Sequence, residues 1–220
     1  VGSEMCIRDR LGGAFVMFTS CDDGDLADIY KGSSSGEYVS DVNWTEAANK
    51  STETYIKYFF ENAGGRNTFA GEIYWEKPNT PETGEPVSTG GSGGWSQGHA
   101  LDIVTDAYVR HADNSEYQTY LYENIMKPFL PAFDEWNRTC GYGGNDFWNN
   151  FYDDMEWMAL ACLRVYELTG DQDYYSALMK MWDHIKGAKN DYKGVGGMAW
   201  KTDLPASRMS CSNGPGCCLL

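Results

Sequence analysis

The sequence has 220 residues, with 17 Lys and Arg against 32 Asp and Glu, and a formal net charge of −15 at pH 7. This charge repels nucleic-acid phosphates and anionic lipid headgroups, so we exclude nucleic acid as a partner. With 42% hydrophobic and 15% aromatic residues, the chain is too apolar to be disordered. The composition predicts a globular protein with a substantial core.

The N-terminal segment is not expected to belong to the folded domain. Residues 1–10 show no periodicity and fit nothing that follows, so we interpret them as a sequence artefact. Residues 11–21 form a short apolar run that ends in small residues and Cys21, which resembles the remnant of a lipoprotein signal peptide. We therefore expect Cys21 to be lipidated, and the alternative is a buried N-terminal strand.

The residues after Cys21 also indicate a lipid-anchored protein. The acidic stretch at 22–25 resembles the export signal of surface lipoproteins of Bacteroidetes. Residues 22–43 are rich in Ser, Gly and Asp, which is typical of a flexible tether. We expect a lipid anchor in the outer membrane, with the protein in the bacterial cell envelope, on the surface or in the periplasm.

Helical spacing of apolar residues begins at Trp44. Residues 64–96 are rich in Gly and Pro and are predicted to be mostly loop, with a short strand near 73–75. No segment shows strong strand alternation, so the predicted fold class is all-α. The predicted helices cover residues 44–62, 97–111, 115–135 with a bend near Pro128, 154–168 and 172–186.

A weak internal repeat indicates helical hairpins. The pattern [ND]-x-[ED]-Tyr-x-x-x-Leu occurs at 114–121 and again at 171–178, each time at the start of a second helix. Hairpins of this kind build solenoids and helical toroids, and six such units would need about 340 residues. We therefore expect about half a ring, with inner helices at 97–111 and 153–168 and outer helices at 115–135 and 172–187.

The adjacent carboxylates Asp153 and Asp154 are the strongest candidates for chemistry. They lie where a Gly-rich, aromatic loop enters a helix. Hydrolysis of a glycosidic bond needs one carboxylate as nucleophile and a second carboxyl group that stays protonated as acid. Adjacent residues place their carboxyl groups about 5 to 6 Å apart, which favours a retaining mechanism. The alternative is structural, because Asp is a favoured N-cap and Asp153 with Glu156 forms a variant of the capping box.

The segment FWNNFYDDMEWMA at 147–159 resembles glycoside hydrolase family 76, the endo-α-1,6-mannanases. The resemblance implies an (α/α)6 barrel, with Asp153 as nucleophile and Asp154 as acid/base. The family's fold continues beyond the point where this chain ends, so we expect residues 44–220 to be a truncated catalytic domain and an incomplete barrel, and we leave the activity of this length of chain open. Further likeness covers QGHALD at 97–102, YELTG at 166–170, GGMAWK at 196–201 and CSNGP at 211–215.

Other side chains are candidates for binding sugar. Trp200 can stack on a pyranose face or close the core, and His99 with Asp102 can line the cleft or form a structural hydrogen-bonded pair. Seven cysteines show no zinc spacing and the acidic stretch at 22–25 lacks the ligands of a calcium loop, so we predict no metal and no cofactor. The remaining candidates for contact with substrate hydroxyls are Asn149, Asn150, Tyr152 and Asn213.

These features favour a surface-anchored retaining glycosidase that cleaves α-1,6-linked mannan and is a monomer when complete. One alternative is a non-catalytic lipoprotein that binds glycans in an aromatic cleft of a helical-repeat fold. A second alternative is a helical-repeat scaffold. The presence of both Asp153 and Asp154 favours the enzyme.

Overall fold

The computed structural model describes residues 43–61, 66–70, 94–194 and 196–219. The chain divides into two compact units, residues 1–44 and 45–220, and the described helices lie almost wholly in the second. Within these ranges there is no β-strand, only isolated bridges between loop residues. The predicted all-α class is confirmed. The predictions for residues 1–42, including lipidation of Cys21, and for the strand at 73–75 lie outside the described residues.

All five predicted helices occur, with ends within a few residues of the predicted ones when the π-helical segment Ile56–Glu61, which continues the first helix, is included. None of the helices in the described ranges is long and apolar enough to cross a membrane. The helices are α1 (Trp44–Tyr55), α2 (Gly94–Arg110), α3 (Ser115–Leu121), α4 (Lys127–Thr139), α5 (Tyr152–Thr169), α6 (Gln172–Ile185) and α7 (Ser210–Leu219).

Two of these helices differ from the prediction in instructive ways. The predicted third helix is one helical rod in which a π-helical segment, Tyr122–Met126, joins α3 to α4. Pro128 is the second residue after this segment and has no N–H for the helical ladder, which accounts for the irregularity at this place. Helix α7 was not predicted, because Gly214 and Pro215 are poor helix formers.

The repeated sequence pattern marks the start of the second helix of each hairpin. The side chain of Asn114 accepts a hydrogen bond from the backbone N–H of Tyr117 and caps α3. In the same way Asp171 accepts from the N–H of Asp173 and caps α6. Just before Asp171, Gly170 ends α5 with φ of 73°, a left-handed conformation that glycine adopts without a steric penalty. The pattern is therefore a capping signal.

Helix α5 is the centre of the fold. It packs against α2, α6 and α7, so the two helices predicted to be inner lie against each other. Their backbones approach closely at Gly98, where a Cβ atom would lie 3.1 Å from the backbone nitrogen of Met158. At the far end of the contact Arg164 of α5 pairs with Asp102 and Asp106 of α2, at 2.6 and 2.5 Å. These contacts hold α5 against α2.

Candidate active site

The start of α5 lies beside a cavity of about 310 Å³. Three parts of the chain form its wall: the start of α2, the segment from the end of α4 to the start of α5, and the loop that carries Trp200. Among the described residues that line the cavity none is Lys or Arg, so the only charged groups are two carboxyls. The lining residues are Gly94, Trp95, Trp136, Cys140, Tyr142, Asn149, Phe151, Asp153, Asp154 and Trp200.

The two aspartates do not cap α5. The N-cap residue is Phe151, with φ of −101° and ψ of 120°, and it makes no side-chain capping hydrogen bond. Asp153 and Asp154 are in the first turn, and each carboxyl group is directed to a partner outside its own helix. The structural alternative of a capping box is therefore wrong, since Glu156 also fails to reach back to the helix start.

Asp154 is held at the N-terminus of α2. The backbone N–H of Gly94 donates to its Oδ2 at 2.9 Å, and the N–H of Trp95 also bonds to the carboxyl group. The side chain is only 7% exposed. Burial raises the pKa of Asp154 to about 6, the neighbouring charge of Asp153 adds to the rise, and the two N–H groups oppose it. Asp154 thus keeps its proton to a higher pH than an ordinary aspartate does.

Asp153 faces the loop on the other side of the cavity. Nε1 of Trp200 donates to its Oδ2 at 3.2 Å. The thiol of Cys211, in the first turn of α7, also contacts this carboxylate. Burial raises the pKa of the Cys211 thiol, and the nearby carboxylate of Asp153 raises it further, so the thiol stays protonated. The two aspartates therefore have different partners: backbone N–H groups for Asp154, and the Trp200 indole for Asp153, whose Oδ1 is buried without a hydrogen-bond partner among the described residues.

Glu156 is a third carboxyl group, one turn after Asp153. Its side chain is completely buried between α5 and α7, and a Cβ atom on Gly216 would lie 3.1 Å from its Oε1. Neither oxygen has a hydrogen-bond partner among the described residues. Burial raises the pKa of Glu156 to about 9, and the charge of Asp153 contributes to the rise. Glu156 is therefore neutral at pH 7 and adds no negative charge to the aspartate pair.

This burial predicts a pH dependence of stability that Glu156→Gln removes. Between the ordinary pKa of 4.5 and the folded-state pKa of about 9, the folded chain holds a proton that the unfolded chain releases. The free energy of unfolding consequently falls as pH rises through this window. Glutamine cannot ionise. The free energy of unfolding of the variant should therefore rise relative to that of the wild type from pH 5 to pH 8, by at most about 1.4 kcal/mol per pH unit.

Urea unfolding at pH 5, 6.5 and 8 measures this difference. Glu167→Gln is the matched control, because Glu167 lies exposed on the same helix. Its stability curve should run parallel to that of the wild type. Parallel curves for Glu156→Gln and the wild type would show that Glu156 is ionised in the folded chain.

The loop that carries Trp200 is held by backbone contacts on two sides. The N–H of Tyr152 donates to the carbonyl oxygen of Trp200 at 3.0 Å. On the other side Asn213 of α7 accepts from the N–H of Met198 at 3.0 Å and donates to its carbonyl oxygen at 3.3 Å. The position of the indole over Asp153 thus depends on α5 and on α7.

Four of the nine predicted substrate-site residues line the cavity: Asp153, Asp154, Asn149 and Trp200. The amide of Asn149 is engaged within the protein, since it donates to Oδ1 of Asn137 and accepts from the N–H of Phe151. Among the rest, Asn150 bonds to Thr202, Asn213 holds the loop as described above, and the hydroxyl of Tyr152 is directed towards Gly187. These three residues support the wall.

His99 and Asp102 are not the hydrogen-bonded pair that we considered. Asp102 pairs with Arg164, and its burial raises its pKa even beside that guanidinium group. The ring of His99 lies between two indoles, with its centroid 4.7 Å from that of Trp157 and 5.8 Å from that of Trp95. Its ring neighbours are aromatic side chains, and its effect on Asp102 is a small lowering of the pKa of that carboxyl group by its charge.

Sequence reasoning missed four residues of the site: Gly94, Trp95, Glu156 and Cys211. Gly94 and Trp95 contribute backbone N–H groups, which leave no signature in a sequence. Cys211 is far from Asp153 along the chain, so only the packing of α7 reveals the contact. The place of Glu156 beside Asp153 could have been inferred from the sequence, because residues three apart share a helix face. That position places a carboxyl group on the buried side, next to Asp153.

Solved structures with the same architecture include the GH76A α-1,6-mannanase from Salegentibacter sp. HEL1_6. It matches with a TM-score of 0.61 and 32% identity, over 80% of this chain and 44% of that chain. Inactive variants of that enzyme, with two consecutive aspartates replaced by alanine or by asparagine, were solved with α-1,6-mannotetrose and α-1,6-mannotriose. The Lin0763 protein from Listeria innocua matches with a TM-score of 0.60 and 26% identity, over 81% of this chain and 45% of that chain.

No protein-family model and no curated protein sequence matches the chain. The chain spans less than half of the length of the solved structures that it matches. Over that part the agreement is in both fold and sequence. The predicted resemblance to glycoside hydrolase family 76 is therefore confirmed, and the chain has the fold of part of a family 76 α-1,6-mannanase.

Proposed function

We propose that the protein is a retaining glycoside hydrolase that cleaves α-1,6-mannosidic linkages, with Asp153 as nucleophile and Asp154 as acid and base. The observation that carries this proposal is the difference between two adjacent carboxyl groups in one cavity. Asp154 is buried with a pKa of about 6, whereas Asp153 accepts a hydrogen bond from the indole of Trp200. One protonated and one ionised carboxyl is the arrangement that glycoside hydrolysis needs.

The first step joins the sugar to the protein. The carboxylate of Asp153 attacks the anomeric carbon and forms an ester bond, while the bond from that carbon to the leaving oxygen breaks. Asp154 gives its proton to the leaving oxygen, which departs as a hydroxyl group. Trp200 helps to hold the attacking carboxylate in place, because its indole donates to Oδ2 of Asp153 from a separate loop.

The second step releases the sugar with its configuration retained. Asp154, now ionised, takes a proton from a water molecule as that water attacks the anomeric carbon. The ester bond to Asp153 breaks, and both carboxyl groups return to their starting states. Neutral Glu156 supports this cycle, since a further negative charge beside Asp153 would make it harder to regenerate the ionised nucleophile.

The solved relatives support the proposed α-1,6-mannosidic substrate. Variants of the Salegentibacter enzyme that are inactive after replacement of two consecutive aspartates bind α-1,6-manno-oligosaccharides. This chain has one pair of consecutive aspartates in the described cavity, Asp153 and Asp154. A cavity without Lys or Arg among its described lining residues also suits a neutral, hydroxyl-rich ligand.

The test is a product assay with the complete gene product on α-1,6-mannan. We expect soluble manno-oligosaccharides, and proton NMR of the first product should show the α-anomer. Formation of the β-anomer first would refute retention. Binding of the glycan without any release of product would favour the non-catalytic glycan-binding alternative, and neither binding nor release would favour the scaffold.

A further inference from the structure

The mouth of the cavity is bordered by an exposed indole. Trp95 lines the cavity and is 48% exposed, which is unusual for so large an apolar side chain. Its own backbone N–H bonds to Asp154, so the Trp95 side chain starts within one residue of the proposed acid. Trp95 and Asp154 line the same cavity, so a substrate bound at Asp154 lies near this indole.

Trp95 is the first member of an aromatic strip along the contact of α2 and α5. The ring of His99, one turn further along α2, meets the Trp95 ring edge-on at a centroid distance of 5.8 Å. On its other side the His99 ring lies 4.7 Å from that of Trp157 on α5. The close approach of the two backbones at Gly98 brings these rings together, since a larger residue there would push α5 away. His99 and Trp157 are both half-buried, so they support Trp95 from behind.

The chemistry of the strip suits a sugar ring. The apolar face of a pyranose stacks on indoles, and the imidazole nitrogens can bond to hydroxyl groups. The cavity itself, at about 310 Å³, is at the small end of ligand sites, so a longer glycan must extend beyond it. The net charge of −15 disfavours an anionic occupant.

We propose that Trp95, backed by His99 and Trp157, is a stacking platform for a neutral hexopyranose unit outside the cavity, away from the bond that is cleaved. This inference rests on the proposed function and assigns Trp95 a role in the recognition of longer chains. Trp95 does not take part in the reaction itself. Its contribution should therefore appear as a dependence on the length of the substrate.

The experiment compares Trp95→Ala with the wild type, both as complete gene products, on α-1,6-linked manno-oligosaccharides of two to six units. We expect kcat/KM for the longer oligosaccharides to fall about tenfold, which corresponds to the loss of one stacked aromatic contact. The loss for the shortest substrate that is cleaved should be clearly smaller, because Trp95→Ala keeps the backbone N–H that bonds to Asp154 and removes only the stacking face. Trp95→Phe should restore part of the loss, because it keeps an aromatic face.

Two controls separate the possible outcomes. Trp44→Ala removes an indole of α1 that is 70% exposed, and it should leave every value unchanged. Thermal melts check that Trp95→Ala is folded. If the wild type neither binds nor cleaves these sugars, both the proposed function and this inference are wrong. If the wild type is active and Trp95→Ala leaves kcat/KM unchanged, or lowers it equally at every substrate length, only this inference is wrong.

Discussion

Asp153→Asn should lower the hydrolysis of α-1,6-mannan by roughly 10⁴-fold or more, because an amide cannot form the ester intermediate. The fold should survive the change. Asp153 does not cap α5, and the Trp200 indole that donates to its Oδ2 can donate to the amide oxygen of asparagine instead. The loss of stability should then stay near the value of one hydrogen bond, about 1 kcal/mol. Initial rates and urea unfolding of the same preparation measure both effects.

Asp183→Asn provides the control for this experiment. Asp183 is exposed on α6 and pairs with Lys186, so the same chemical change there should leave the rate unaltered. A folded Asp153→Asn variant with nearly wild-type turnover would contradict the nucleophile assignment. In that case a non-catalytic glycan-binding protein would become the better description of the molecule.

Asp154→Asn should affect substrates according to their leaving groups. Natural mannosides need the proton of Asp154, so their turnover should fall by roughly 10²- to 10⁴-fold, the usual contribution of a general acid. Aryl mannosides with acidic phenols need little protonation, so the formation of the glycosyl-enzyme should be partly spared. Single-turnover kinetics, which follow release of the phenol, separate this first step from the second.

The pH profile adds a second readout for Asp154. In the wild type kcat/KM should fall as pH rises above about 6, because Asp154 loses the proton that it must donate. Asp154→Asn has no such group, so its activity on aryl mannosides should lack this alkaline fall. Equal losses on both kinds of substrate, with the alkaline fall retained, would assign the acid to another residue.

The positions of the helices could be predicted because their signals are local. Apolar spacing identified α2 and α5, and the Asn114 and Asp171 patterns marked the starts of α3 and α6. Helix α7 was missed for a physical reason. Its sequence has low helix propensity, and contact with α5 stabilises it in spite of Gly214 and Pro215. Tertiary packing decides such a segment, and a single sequence does not display that packing.

The candidate site was predicted as far as its side chains reveal it. The pair Asp153 and Asp154 and the indole of Trp200 stood out by residue type. The capping interpretation of Glu156 was wrong, because a local motif was judged without the buried surface of α7 beside it. The partners of Asp154 are backbone groups of α2, and these became visible only when the fold brought the two helix starts together.

The contacts that distinguish the two aspartates join distant parts of the chain. Gly94 is 60 residues before Asp154, and Trp200 is 47 residues after Asp153. Contacts of such high sequence separation close large loops, and folding forms them slowly. Before these contacts form, the two neighbouring aspartates of a newly made chain have the same ordinary acidity. The difference between their environments arises when α2 and the Trp200 loop dock, so a chain in which only α5 has formed has both aspartates but not the contacts that distinguish them.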